Sequence, residues 1–424
     1  MEPGPDLAGE PTNRTLWGRL TCLAVAVGVA LRVWEYSSFR ALYMDEEALL
    51  KNLVGVPVFD FGHVLSQDQL APPGFLVVER LILRSPLNEL AAGRLFPLLC
   101  GLASMLLVVP LARRFVDRRA VPIAAWFLAL ADHLIYYSAE IKQYSCDLVL
   151  AMAALLVAIP RDAERPTPRR IAALALLGVV APWFSYPVVF VLAGVGFHWI
   201  ARRAIAKDGR GVALAVGVCL AWLISFVGCF AVSHIIVSKR DFLWVWWNFA
   251  FLPIPPHSAN DARFVAETLA NVFINPGSLL TPFSLAVTAV LASGLAVVGC
   301  VSLGRRWRGG LFLLLAPLLF SLAASALRQY PFHGRLILSL VPIYHLLLAE
   351  GIAAVGRFTH VGATILLALV FIVGQASDIA WNQFVMSKSR ARPFDTHGDL
   401  KNDLLDYLDD QRRPPRRPER ERTP

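Results

Sequence analysis

The stretch Leu16-Trp17-Gly18-Arg19-Leu20-Thr21-Cys22-Leu23-Ala24-Val25-Ala26-Val27-Gly28-Val29-Ala30-Leu31-Arg32-Val33-Trp34, followed closely by Tyr43-Met44-Asp45-Glu46-Glu47, decides how the chain is read. Its first part is apolar over the roughly 17–25 residues that a helix needs to cross a bilayer. It ends in Arg32-Val33-Trp34-Glu35 with no small-residue cleavage site, so it reads as an uncleaved signal anchor. Its second part opens a loop with three carboxylates in a row. A crossing helix that delivers an acidic run to the far surface predicts chemistry at that surface. Asp45 is the leading candidate for a catalytic base.

The rest of the chain repeats the apolar pattern. Hydrophobic residues make up 56%, mean hydropathy is +0.56 and only 17% of residues are charged. A soluble domain carries about 25% charge and 45–50% apolar residues. Eleven spans are expected, at 16–34, 89–111, 121–138, 146–160, 170–184, 187–201, 211–237, 281–303, 311–327, 336–356 and 361–380. They form a membrane domain over 16–381, between a disordered leader over 1–15 and a charged, Arg/Pro-rich tail over 382–424 expected outside and partly disordered. No fixed-period repeat or pair of broken helices stands out.

The formal charge of +9 does not point to nucleic acid. Arg113, Arg114, Arg118 and Arg119, then Arg161, Arg165, Arg169 and Arg170, then Arg202, Arg203, Lys207 and Arg210, and finally Arg305, Arg306 and Arg308 fill the short segments between spans. That is the signature of cytoplasmic loops, and it puts the amino terminus inside. The six cysteines all fall inside apolar spans without zinc or disulfide spacing.

On this topology the first outer loop covers 35–87. Its residues 45–53 alternate at helical spacing and predict an amphipathic interfacial helix; Phe75–Leu83 predicts a second short helix dipping into the interface. A second outer loop, 238–280, is rich in Trp, Phe and Pro and is expected on the bilayer surface. Charges near spans are expensive and invite functional readings. Asp45, Glu46, Asp68, Arg94, Glu140, Lys142, Arg328, His333 and Arg335 converge on the outer face, where cations suit a lipid phosphate and a carboxylate suits proton removal. Plainer readings stand beside these. The acidic triplet is also a good helix start, Arg94 and Arg335 also read as interfacial anchors, and Glu140 with Lys142 also reads as a polar cap on a hairpin. Glu350 and Asp378 read as structural.

Taken in order, Tyr43-Met44-Asp45-Glu46-Glu47-Ala48, Asp68-Gln69-Leu70-Ala71-Pro72-Pro73-Gly74-Phe75, Arg94-Leu95-Phe96-Pro97, Tyr137-Ser138-Ala139-Glu140-Ile141-Lys142-Gln143-Tyr144-Ser145-Cys146-Asp147, Trp183-Phe184-Ser185-Tyr186-Pro187 and Tyr330-Pro331-Phe332-His333-Gly334-Arg335 resemble the bacterial glycosyltransferases of the GT-C membrane fold. The resemblance is strongest to the group sharing a domain with the rhizobial lipopolysaccharide glycosyltransferases, with protein O-mannosyltransferases and lipid A aminoarabinose transferases more distant. It implies an all-α polytopic protein and an inverting transfer from a polyprenyl-phosphate sugar to a glycan, lipid-linked or protein hydroxyl, at the outer face of the bacterial cytoplasmic membrane.

On that resemblance Asp45 deprotonates the acceptor, and Glu46 orients it or assists a metal. By position, Arg94, Lys142 and Arg335 are the candidates to hold the donor phosphate. Asp68, Gln69, Glu140, Tyr144, Tyr186 and His333 stand in the same stretches as candidate substrate contacts. Some relatives bind a divalent cation near the acidic loop, although no ligand spacing here demands one. Relatives often continue into an outer soluble domain; here Gly398–Asp409 looks like its first helix before the chain turns Arg/Pro-rich. The rival reading is a lipid or solute transporter with a charged outer gate. It is weakened because the charges sit at span ends rather than at the bilayer midplane.

Overall fold

The computed structural model describes residues 11–159, 167–237 and 240–382. Among them the chain is all α, with sixteen α-helices and a single isolated bridge, Leu65 to Val237, in place of any sheet. The helices are α1 (Pro11–Ser37), α2 (Met44–Lys51), α3 (Pro73–Ile82), α4 (Glu89–Phe115), α5 (Ala120–Ala129), α6 (Asp132–Tyr137), α7 (Tyr144–Ala158) and α8 (Pro168–Val180). They continue as α9 (Val188–Ile205), α10 (Gly209–Ile236), α11 (Arg240–Trp246), α12 (Ala259–Asn271), α13 (Leu285–Arg306), α14 (Arg308–Ala326), α15 (Val341–Phe358) and α16 (Val361–Ala380).

Among the described residues, eight helical segments are long and apolar enough to cross a membrane: those of α1, α4, α9, α10, α13, α14, α16 and the Gly334–Phe358 segment that includes α15. This is a multi-pass membrane protein. The eleven expected spans all have a helical counterpart, but α5, α7 and α8 are shorter, at 10, 15 and 13 residues. The expected third span, 121–138, is broken between α5 and α6. The break falls beside Asp132-His133, where the His133 N–H and Nδ1 both meet Ser278 Oγ, at 3.1 and 2.7 Å. Polar partners from another segment there replace a continuous apolar helix.

Helix starts follow local chemistry. Asn88 caps α4 through the Ala91 N–H at 2.8 Å with Glu89 in the first turn, and Thr167, Asp208 and Ser284 cap α8, α10 and α13. The centre is α15; the segment Gly334–Phe358 is 94% buried over its most apolar window. It packs on α13 with the backbones almost touching. A Cβ at Gly299 would collide with the Leu347 carbonyl, and one at Gly351 with the Leu295 carbonyl, so only glycine permits that approach.

The two ends of the bundle differ in charge. At one end, Arg113 and Arg114 close α4, Arg305 and Arg306 close α13, and Arg202 and Arg203 close α9. The buried Glu350 gathers that end, accepting from Ser302 Oγ at 2.6 Å and the Asp117 N–H at 2.7 Å, with Arg306 and Arg357 beside it. The other end carries the acidic loop. Its helices α2 and α3 bury Leu49, Leu50, Phe75 and Leu76 in one cluster with Ile141 and Ile236. The tail over 383–424 and leader residues 1–10 lie outside the described residues.

Candidate functional site

A cavity of about 450 Å³ opens at the acidic end. The first outer loop contributes Asp45, Asp68 and Gln69; the α6–α7 connection and α7 contribute Lys142, Gln143, Tyr144 and Asp147. The break before α9 contributes Tyr186, and the segment before α15 contributes Arg335. The second outer loop does not merely coat a surface. Trp244, Trp247 and Phe251 line the cavity as well, held by the Trp244 Nε1–H to the Arg328 carbonyl at 2.8 Å and the Phe332 N–H to the Ala250 carbonyl at 2.9 Å.

Asp45, at the first turn of α2, pairs with Arg335 at 2.5 Å, each about a quarter exposed (28% and 24%). Arg335 stands over Tyr144 and Trp247 at 5.8 and 5.7 Å, and its Nε has no hydrogen-bond partner. Lys142 is 4% exposed and donates to Gln69 Oε1 at 2.5 Å. Burial pushes Lys142 down to about 8, against Asp45 and Glu140, which pull it up. Glu140 is buried without a partner for either carboxylate oxygen. Burial, then repulsion from Glu46, pushes it up to about 7 against Arg40, Lys142 and Arg335. Gln67 and Asp68 at the rim hold left-handed φ of 57° and 54°, a strained conformation for consecutive non-glycine residues.

Two expected site residues are occupied elsewhere. Glu46 is fully buried and takes Arg94 on both oxygens at 3.0 Å, Arg40 at 2.9 Å, and the Tyr43 and Ile141 N–H groups at 3.2 and 3.1 Å. Arg94, 1% exposed, spends its remaining Nη1 on the Arg40 carbonyl at 2.9 Å. Neither lines the cavity; together they tie α2 to α4 and to the loop before α7. His333 is not among the lining residues either; its ring lies against Phe249 and Trp247. Tyr186 lines the cavity while donating to Ser233 Oγ at 2.9 Å.

Three participants were missed in the sequence reading. Arg40 follows Phe39, whose φ of 46° turns the chain back under the loop, and it bridges Glu35, Glu46 and Tyr136. Asp147 and Gln143 line the cavity from α7. An acid inside an apolar span was a usable signal for Asp147; nothing in the sequence marked the other two.

The donor set does not suit a divalent cation. Asp45 faces a guanidinium, the oxygens of Glu46 are filled, and among the described residues no three His, Cys, Asp or Glu side chains converge.

No protein-family model and no curated protein matches the chain. Solved structures do. The apo crystal structure of the Archaeoglobus fulgidus oligosaccharyltransferase is similar at 13% identity over 88% of this chain and 56% of that one, with a TM-score of 0.52. ArnT from Cupriavidus metallidurans in the apo state is similar at 17% identity over 82% and 62%, with a TM-score of 0.50. The fold is GT-C. The chain spans less than two thirds of the length of either structure, and the likeness is one of fold.

Proposed function

We propose that this chain is a GT-C glycosyltransferase that moves a sugar from a polyprenyl-phosphate donor to a hydroxyl of a glycan, lipid-linked saccharide or protein. The reaction takes place at the outer face of a bacterial cytoplasmic membrane. The observation that carries this reading is the Asp45–Arg335 pair beside buried Lys142, lining one cavity at the end of the bundle away from the arginine-rich loops. The charge bias of those loops supports a cytoplasmic side for their end and the opposite side for the cavity.

The chemistry follows from the pairing of charges. The acceptor oxygen attacks the sugar's anomeric carbon, the bond from that carbon to the phosphate oxygen breaks, and the lipid phosphate leaves from the opposite face with inversion. Asp45 takes the hydroxyl proton. Lys142 and Arg335 hold the phosphate, whose charge grows as the bond breaks. Arg335 lines the cavity and pairs with Asp45 through Nη2, so one guanidinium stands beside both the base and the phosphate position. Glu46, Arg94 and Arg40 act as positioning residues, since their charges are satisfied among themselves.

Asp45→Asn tests the base. Transfer from an undecaprenyl-phosphate sugar should fall by about 10²–10⁴-fold, the contribution of a positioned general base, while the variant still binds undecaprenyl phosphate. Wild-type turnover in Asp45→Asn, measured by transfer of labelled sugar in reconstituted vesicles, rejects the assignment.

A further inference from the structure

The mechanism above leaves part of the cavity unexplained. Gln143 and Asp147 lie four residues apart at the start of α7, about 6 Å along the axis and on one face. Both line the cavity, yet they are only 7% and 3% exposed. Gln143 Oε1 and Asp147 Oδ1 each lack a hydrogen-bond partner. The Ser185 hydroxyl serves the Asp147 carboxyl but leaves that oxygen open.

Buried polar atoms are almost always paired, and these two unpaired acceptors belong to residues that line the cavity, where a ligand can supply the donors. Two of the cavity phenols are spent elsewhere, Tyr186 donating to Ser233 and Tyr330 to the Leu336 carbonyl, both at 2.9 Å. Asp147 also sits further into the bundle along α7 than Lys142, which precedes the helix. A molecule with its phosphate at Lys142 and Arg335 would lay its next unit along this edge.

We propose that the Gln143–Asp147 edge is the sugar subsite, and that it accepts hydroxyl or amino hydrogens of the transferred sugar. The proposal deepens the transferase reading and rests on it. A neutral or amino sugar offers hydrogen-bond donors to both acceptors. A uronic acid sugar brings a carboxylate to the same oxygens and gains less. The edge therefore determines specificity and has no part in proton transfer.

The test compares binding of undecaprenyl phosphate, its glucosyl ester and its glucuronosyl ester to the full-length protein by native mass spectrometry. Wild-type protein should hold the glucosyl lipid about tenfold more tightly than bare undecaprenyl phosphate, as expected for hydrogen bonds to a buried acceptor pair, and the glucuronosyl lipid no more tightly than the bare one. Asp147→Ala and, separately, Gln143→Ala should each bring the glucosyl lipid down toward the bare lipid. Retained binding of the bare lipid reports that the variant is folded, and if either variant fails to fold the other decides. Equal binding of all three lipids by wild-type protein overturns the sugar subsite and leaves the transferase reading standing. Failure to bind any of them brings down the transferase reading and the proposal with it.

Discussion

At Lys142 an ordinary surface lysine has become a buried, poised cation. Its burial lowers it to about 8, while burial raises Glu140 to about 7. The sign for donor binding is the same for both groups. Each proton gained adds positive charge beside the phosphate position: below about 7 Glu140 is neutral, and above about 8 Lys142 loses its charge. Affinity for undecaprenyl phosphate should therefore fall as pH rises through this range, and Lys142→Arg should carry binding to higher pH because arginine keeps its proton. A titration series across pH in nanodiscs checks this, and a flat profile for wild type would count against Lys142 as the phosphate cation. The sequence brought Lys142 and Glu140 to notice as charges next to a span. It could not separate the two carboxylates of Asp45-Glu46, which differ only in which way α2 turns them: one toward Arg335, the other into Arg94 and Arg40.

At the level of elements, Glu46 is the knot. Its carboxylate reaches Arg94 on α4, Arg40 behind α1 and the Ile141 N–H before α7, so one side chain registers three segments that carry the site. Removing one member of a buried ion pair leaves an unpaired charge and costs about 3–5 kcal/mol. Glu46→Ala should lower the melting temperature markedly in a detergent thermal-shift assay. The double change Glu46→Leu with Arg94→Met should recover part of that stability, since apolar replacement of a buried pair is often neutral, while transfer stays impaired because Asp45 is no longer held in place. Full activity in a stable double variant would show that the knot does not position Asp45. Helix positions were largely legible from apolar runs and caps. The burial of α2 and α3 in one cluster with Ile141 and Ile236 and the place of the tryptophan-rich loop in the cavity lining were not, because amphipathic and aromatic surfaces do not reveal whether lipid or protein will cover them.

Across the whole molecule, one end is basic and closed by Glu350, and the other is open and lined by Asp45, Lys142 and Arg335. In a background without native cysteines, Ser66→Cys should react with a membrane-impermeant thiol reagent on intact cells. Arg305→Cys should react only after permeabilisation, and the reverse pattern would invert the assigned orientation. The sequence by itself determined the membrane class, the order of the spans and the charge bias between their connections, because hydropathy and arginine placement act locally and add along the chain. Only the tertiary structure decided which charges face a ligand and which face one another. That choice depends on helices brought together from distant parts of the chain: Arg335 reaches Asp45, Arg94 reaches Glu46, and Asp147, in the cavity lining, keeps one carboxyl oxygen unpaired. Desolvation penalises a buried charge that has no partner, and the partners are set by packing rather than by neighbouring residues.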